Sequence, residues 1–100
     1  MTERIYTAHI RFTWDERKRL HNLRVHKFDF RDVWQVFEAY THCFDDDRYV
    51  YHERRLVTLG LLAGLPVTVV HTETEDTIHV ISFRKATRRE TEILFAAYLH

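Results

Sequence analysis

Hydrophobic and polar residues alternate in the second half of the chain. Arg54 to Leu62 and Thr77 to Lys85 place apolar residues at roughly every second position, and Leu65 to Glu73 is rich in valine. Each stretch predicts a strand. The connections Leu62-Ala63-Gly64-Leu65 and Thr74-Glu75-Asp76 are of turn length and favour an antiparallel meander. In the last of these strands, alternation puts Ile78, Val80, Ser82 and Arg84 on one face, and His79, Ile81, Phe83 and Lys85 on the other. Ile5 to Phe12 also alternates and predicts a first strand. A short strand at His42 to Phe44 is an additional option before the polar loop Asp45-Asp46-Asp47.

Elsewhere the period lengthens to that of a helix. Thr13 and Glu16 form a capping-box pattern, with Asp15 as the alternative cap, and predict a helix to Leu23 or Arg24 with Leu20 and Leu23 facing inward. A second helix starts near Asp29 or Phe30, because Val33, Val36, Phe37 and Tyr40 share one helical face. The last begins at Thr87, whose partner at the capping-box spacing is Glu90, and carries Ile93, Leu94, Ala97 and Tyr98 as its apolar stripe. The order β-α-α-β-β-β-α predicts an α+β fold with a mostly antiparallel 4-stranded sheet, helices on one face and the other face partly open.

Composition narrows the class. At 100 residues the chain is expected to be a single domain spanning 1–100, and 45% apolar with 30% charged residues fits a soluble globular protein. Net charge is zero, so no overall field points to nucleic acid or membrane. The charges are nevertheless clustered, with seven cations against two anions from Arg4 to Lys27 and six anions against one cation from Asp29 to Asp47. One cysteine, no apolar leader and no long apolar run make a cytoplasmic location the expectation.

Most familiar chemistries find no motif. Eight histidines raise the question of metal. Yet His21 and His26 stand about 140° apart around a helix, and His71 with His79, facing each other if the hairpin turns at Glu75, would supply too few ligands for a zinc site. No metal and no cofactor are expected. Thr58, Ser82 and Cys43 lie in no nucleophile motif, and two glycines cannot build a phosphate cradle of backbone amides. The distinctive feature is Arg84, Lys85, Arg88 and Arg89 at a strand-to-helix junction. Cations in a first helical turn oppose the helix dipole, but suit a site that receives an anion. Arg54 and Arg55 begin a neighbouring strand, and one of them could join Arg84 on the same sheet surface as a phosphate clamp. Ordinary solvated charge is the competing explanation.

Several blocks together resemble the BrnT-type toxins, RelE-like ribonucleases of type II toxin–antitoxin systems. They are FTWDERKRLHNLRVHKFDF, VWQVF, ERRLVTLG and VVHTETEDTIHVISFRKATRRE. Trp14, Asp15, Lys18 and Asn22 match a W-D-x-x-K-x-x-x-N pattern, and Ile81, Ser82, Arg84, Lys85 and Ala86 match I-S-x-R-K-A. The resemblance implies a metal-independent endoribonuclease that cuts mRNA by attack of a ribose 2′-hydroxyl on the adjacent phosphate and so inhibits translation and growth. It implies Arg84 and Arg55 as phosphate clamps, Lys85 and Lys18 as supporting cations, and His26 or His71 as acid–base group. Arg54, Arg88 and Trp14 are candidate RNA contacts, Trp14 by stacking on a base. The implied partner is a BrnA-type ribbon-helix-helix antitoxin, with DNA bound only through it, and the acidic loop at Asp45 to Asp47 is a candidate contact. Two departures support an alternative. Val25-His26-Lys27 stands where the family has K-H-G, and Leu94 where many relatives have tyrosine. The alternative is a weakened, toxin-like module that keeps antitoxin or nucleic-acid binding.

Overall fold

A computed structural model of the chain describes residues 9–48 and 52–100. The elements are β1 (Arg11–Trp14), α1 (Glu16–His26), a 3-10 turn (Phe30–Asp32) leading into α2 (Val33–Phe37), β2 (His42–Asp45), β3 (Leu56–Leu62), β4 (Leu65–Glu73), β5 (Thr77–Lys85) and α3 (Arg88–Tyr98). They form one five-stranded sheet in the order β1-β5-β4-β3-β2. β2 to β5 are antiparallel neighbours, whereas β1 lies parallel to β5. The expected 4-stranded sheet thus gains a strand, because the short segment after His42 pairs fully with β3. Of the predicted first strand, Ile5 to Ala8 lies outside the described residues.

Local chemistry sets the element ends. The Asp15 side chain accepts from the Lys18 amide, so Asp15 rather than Thr13 caps α1. Lys27 closes that helix in the left-handed region at φ 68°, a conformation that glycine adopts without penalty. Ala63 and Gly64 are both left-handed, at φ 49° and 84°, as a two-residue hairpin turn between twisted strands requires. Thr87 and Glu90 form the full reciprocal capping box of α3.

The helices cover both faces of the sheet, not one. Phe30, Val33, Val36 and Phe37 pack with Val67, Val69, Ile78, Val80 and Phe83 on the first face. On the second, Leu94 of α3 packs with Val57, Leu59 and Val70, and α3 lies mainly over β2, β3 and β4. The second-face surface of β5 and β1 is left largely uncovered by helix. Tyr40, expected in the core, is partly exposed and meets Tyr98 edge-on at 5.2 Å.

α1 departs furthest from its apolar pattern. Leu20 is 52% exposed, while Arg19 and Asn22 are buried. Arg19 pairs with Glu16 and Asp29. Asn22 fills the edge of β5 where β1 has already ended. Its Nδ2 donates to Phe83 O at 2.7 Å and to Phe28 O at 2.9 Å, and its Oδ1 accepts from Phe83 N at 3.1 Å. A side-chain amide therefore takes the place of a neighbouring strand.

β5 carries a bulge that alternation does not foresee. Val70 pairs with Ser82 but His71 with Val80, so Ile81 is the extra residue. Ile78, Val80 and Phe83 consequently share the first face, whereas Ile81, Ser82 and Arg84 belong to the second. His71 and His79 do not face each other: Thr72 is opposite His79, and the two histidines lie on opposite faces.

Candidate active site

Arg84 is the most fully hydrogen-bonded cation of the junction. Its Nη1 and Nη2 donate to Glu90 Oε1 and Oε2 at 2.7 and 3.0 Å. Glu90 also accepts from Thr68 Oγ1 at 3.0 Å and from the Thr87 amide at 2.9 Å. Burial by itself would push this carboxyl up, but the Arg84 guanidinium, the Thr87 amide and the Thr68 hydroxyl outweigh it and hold Glu90 at about 2. Strand β5, strand β4 and the start of α3 thus converge on one carboxylate that fixes one guanidinium. A guanidinium has two edges able to grip an oxyanion. Glu90 occupies the Nη1/Nη2 edge, and no described group accepts from Nε.

Arg55 does not join Arg84. Arg84 lies opposite Thr68, whereas Arg55, one residue before the pairing of Leu56 with His71, lies level with Thr72. Four residues along β4 separate the two levels, ~13 Å at the usual strand rise. Arg55 pairs instead with Glu53 at 3.1 Å. The expectation of two arginines gathered in one pocket is therefore not met, although both belong to the second face. Arg54 points to the first face and pairs with Asp45.

The other candidates are dispersed. His71 is fully buried, with Nε2 2.7 Å from Thr58 Oγ1 and its ring edge-on to Phe37 at 5.4 Å. It lies on the first face, away from solvent, which corrects the expectation of an acid–base group in reach of RNA. His26 is exposed at the end of α1, remote in its contacts from Arg84. Lys18 and Lys85 are exposed and make no ion pair among the described residues. Arg88 is 96% exposed in its side chain and lies 3.4 Å from Glu92. Trp14 is partly buried, packs on the Phe30 ring at 6.5 Å and donates to Glu16 at 3.2 Å, so it belongs mainly to the core. Asp46 of the acidic loop is buried and paired with Arg48, and Asp45 with Arg54. Among the described residues, no three of His, Cys, Asp or Glu gather as metal ligands, and no helix is long and apolar enough to cross a membrane.

Residues 14–90 match the family model described as "Ribonuclease toxin, BrnT, of type II toxin-antitoxin system". The chain belongs to the BrnT family. Its structure is similar to the crystal structure of the Brucella abortus ribonuclease toxin BrnT, with a TM-score of 0.63 and 27% identity over 79% of this chain and 99% of that one. No curated protein matches it. The matched BrnT segment opens at Trp14 and closes at Glu90, so it contains both the Asn22 clamp and the Arg84–Glu90 pair. Within this BrnT-family chain the W-D-x-x-K-x-x-x-N block is chiefly architectural, with Asp15 capping α1 and Asn22 closing the β5 edge. The residue that sequence reasoning undervalued is Glu90, assigned only to a cap. Its signal was present in the spacing to Arg84, which places an acid one helical turn inside α3 beside the strand end.

Proposed function

We propose that this BrnT-family chain is a toxin that cleaves mRNA as a metal-independent endoribonuclease, halting translation and growth in the cytoplasm. The observation that carries the reading is Arg84, locked by Glu90 on a sheet face that helices leave partly uncovered, with its Nε edge unused. A preorganised guanidinium is suited to gripping a phosphate of the bound RNA, because it needs no reorganisation when the strand docks. Arg88 follows Arg84 on the chain and supplies positive potential for the RNA backbone, whereas Lys85 stands on the first face, paired with Val67, and is a peripheral cation. Arg55 binds the same strand at a neighbouring position, not the same phosphate. Lys18, Arg54 and His26 are peripheral contacts in this reading.

The proposed partner is a BrnA-type ribbon-helix-helix antitoxin, through which DNA is bound indirectly. Asp47 is exposed and is the carboxylate of the acidic loop best placed to meet it.

The test is RNA cleavage by the purified chain in EDTA, compared with Arg84→Ala and with Arg84→Met/Glu90→Gln. The double variant avoids leaving a partly buried carboxylate unpaired. Both are expected to lose cleavage, and the double variant to keep a cooperative melt. Cleavage that requires added metal, or survives in both variants, refutes the reading. A second reading rests on the ~13 Å separation of Arg84 and Arg55: a weakened module that binds antitoxin without cutting RNA. Growth arrest on induction, relieved by the co-expressed antitoxin and absent in the double variant, eliminates that alternative.

A further inference from the structure

His79 was assigned no role by sequence, yet it lies on the uncovered part of the second face. Its partner on β1 is Thr13 and its partner on β4 is Thr72. Arg55 extends the same row on β3, since Leu56 pairs with His71 and Arg55 is one residue earlier. A single rung across four strands therefore reads Thr13, His79, Thr72, Arg55. Strands are about 4.8 Å apart, so His79 and Arg55 flank a gap of about 10 Å between backbones, floored by a threonine. His79 is exposed and its Nδ1 lies 2.9 Å from Thr13 Oγ1. Arg11 lies on β1 opposite Thr77 and is also exposed.

From this row we infer that His79 is the general base of the RNA cleavage reaction, with Thr13 as its positioning residue and Arg55 as a phosphate contact. The inference rests on the ribonuclease reading above. In the tautomer this role requires, His79 Nδ1–H donates to Thr13 Oγ1, which fixes the ring and leaves the Nε2 lone pair free to accept. Nε2 removes the proton of a ribose 2′-hydroxyl. The 2′-oxygen forms its bond to phosphorus while the bond from phosphorus to the 5′-oxygen breaks. The departing 5′-oxygen keeps that electron pair and takes a proton from water. The products are a 2′,3′-cyclic phosphate and a 5′-hydroxyl, with the proton held on His79 returned to solvent. Arg84, further along β5 on the same face, then grips a phosphate of the same strand at a distance and is not the group beside the reacting bond. This placement explains why the two arginines stand apart: each meets a different part of an extended substrate lying along β5. It also supplies the exposed histidine that buried His71 cannot be.

The experiment uses the full chain. Cut sites are mapped on a transcript, and an oligonucleotide spanning one of them is assayed under single turnover with wild type, His79→Gln, Thr13→Val and Thr13→Ser. Affinity is measured with the same oligonucleotide carrying a 2′-deoxy sugar at the cut. His79→Gln is expected to lower the cleavage rate by ~10²–10⁴-fold, the usual contribution of a general base, with thermal melt and affinity unchanged. Thr13→Val should displace the acid limb of the rate–pH profile, and Thr13→Ser should restore it. A loss below tenfold in His79→Gln, or a loss matched by weaker binding, overturns the assignment while leaving the ribonuclease reading intact. A wild-type chain that cuts no RNA removes both together.

Discussion

Replacing Asn22 with alanine deletes three hydrogen bonds at once and probes how β5 is held. The amide bridges Phe83 N, Phe83 O and Phe28 O at 3.1, 2.7 and 2.9 Å, and Asn22 is only 5% exposed. Alanine leaves one buried N–H without its acceptor and two carbonyls short of a donor. Each such group costs about 1–3 kcal/mol when water cannot reach it. Partial access from the strand edge brings the expected sum to ~3–6 kcal/mol, a large share of the ~5–15 kcal/mol that holds a small domain together. With a urea m-value of about 1.5 kcal/mol/M, the midpoint falls by ~2–4 M at unchanged slope. Asn22→Asp should be no better, because a carboxylate would face the same two carbonyls. Equilibrium urea unfolding gives the midpoint, and hydrogen exchange at the Phe83 amide reports the site directly. That amide should exchange only through global opening in wild type and through local fraying in the variant. A loss below ~1 kcal/mol, or a Phe83 amide equally protected in both, would show that the bridge is dispensable.

Two further outcomes follow from other contacts. Glu90 is held at about 2, below its ordinary 4.5, so its contribution is present above pH ~4.5 and fades as pH falls toward ~2; the difference amounts to at most about 3 kcal/mol. Urea midpoints of wild type and Glu90→Gln should therefore converge in acid, and a constant gap down to pH 2.5 would exclude this linkage. At Gly60, an added Cβ would lie 2.6 Å from Val36 Cγ1, so Gly60→Ala should cost about 1–3 kcal/mol by overpacking. Combination with Val36→Ala should recover part of that loss in a double-mutant cycle, whereas strict additivity would refute the clash.

Much of the sheet was legible because its signals are local. The limits of β4 and β5, both hairpin turns and the Thr87–Glu90 capping box follow from alternation, turn residues and cap spacing alone. What escaped depends on partners remote in sequence. Leu20 reads as an inward residue, yet α1 buries Arg19 against Asp29 and Asn22 against a strand edge, and polarity in the sequence does not reveal that a buried partner awaits. The bulge at Ile81 reverses which residues accompany Arg84, and strict alternation has no means of anticipating an extra residue. For the same reason the row joining His79, Thr13 and Arg55 could not be seen until the strand order was known. Arg84 itself was found by its neighbours in the chain, whereas its contact with Glu90 needed only the geometry of one helical turn.

The parallel pairing of β1 with β5 has a consequence for synthesis. The first described strand finds its neighbour only after residue 77 has been made, and the guanidinium of Arg84 meets its anchor only after residue 90. Long-range pairing of this kind comes late, because distant ends must be brought together before any contact rewards them. A nascent chain short of β5 thus lacks the completed sheet, and one short of α3 lacks the fixed arginine. On the proposed activity, an unfinished copy still on the ribosome therefore lacks the anchored arginine with which it would engage the message being read.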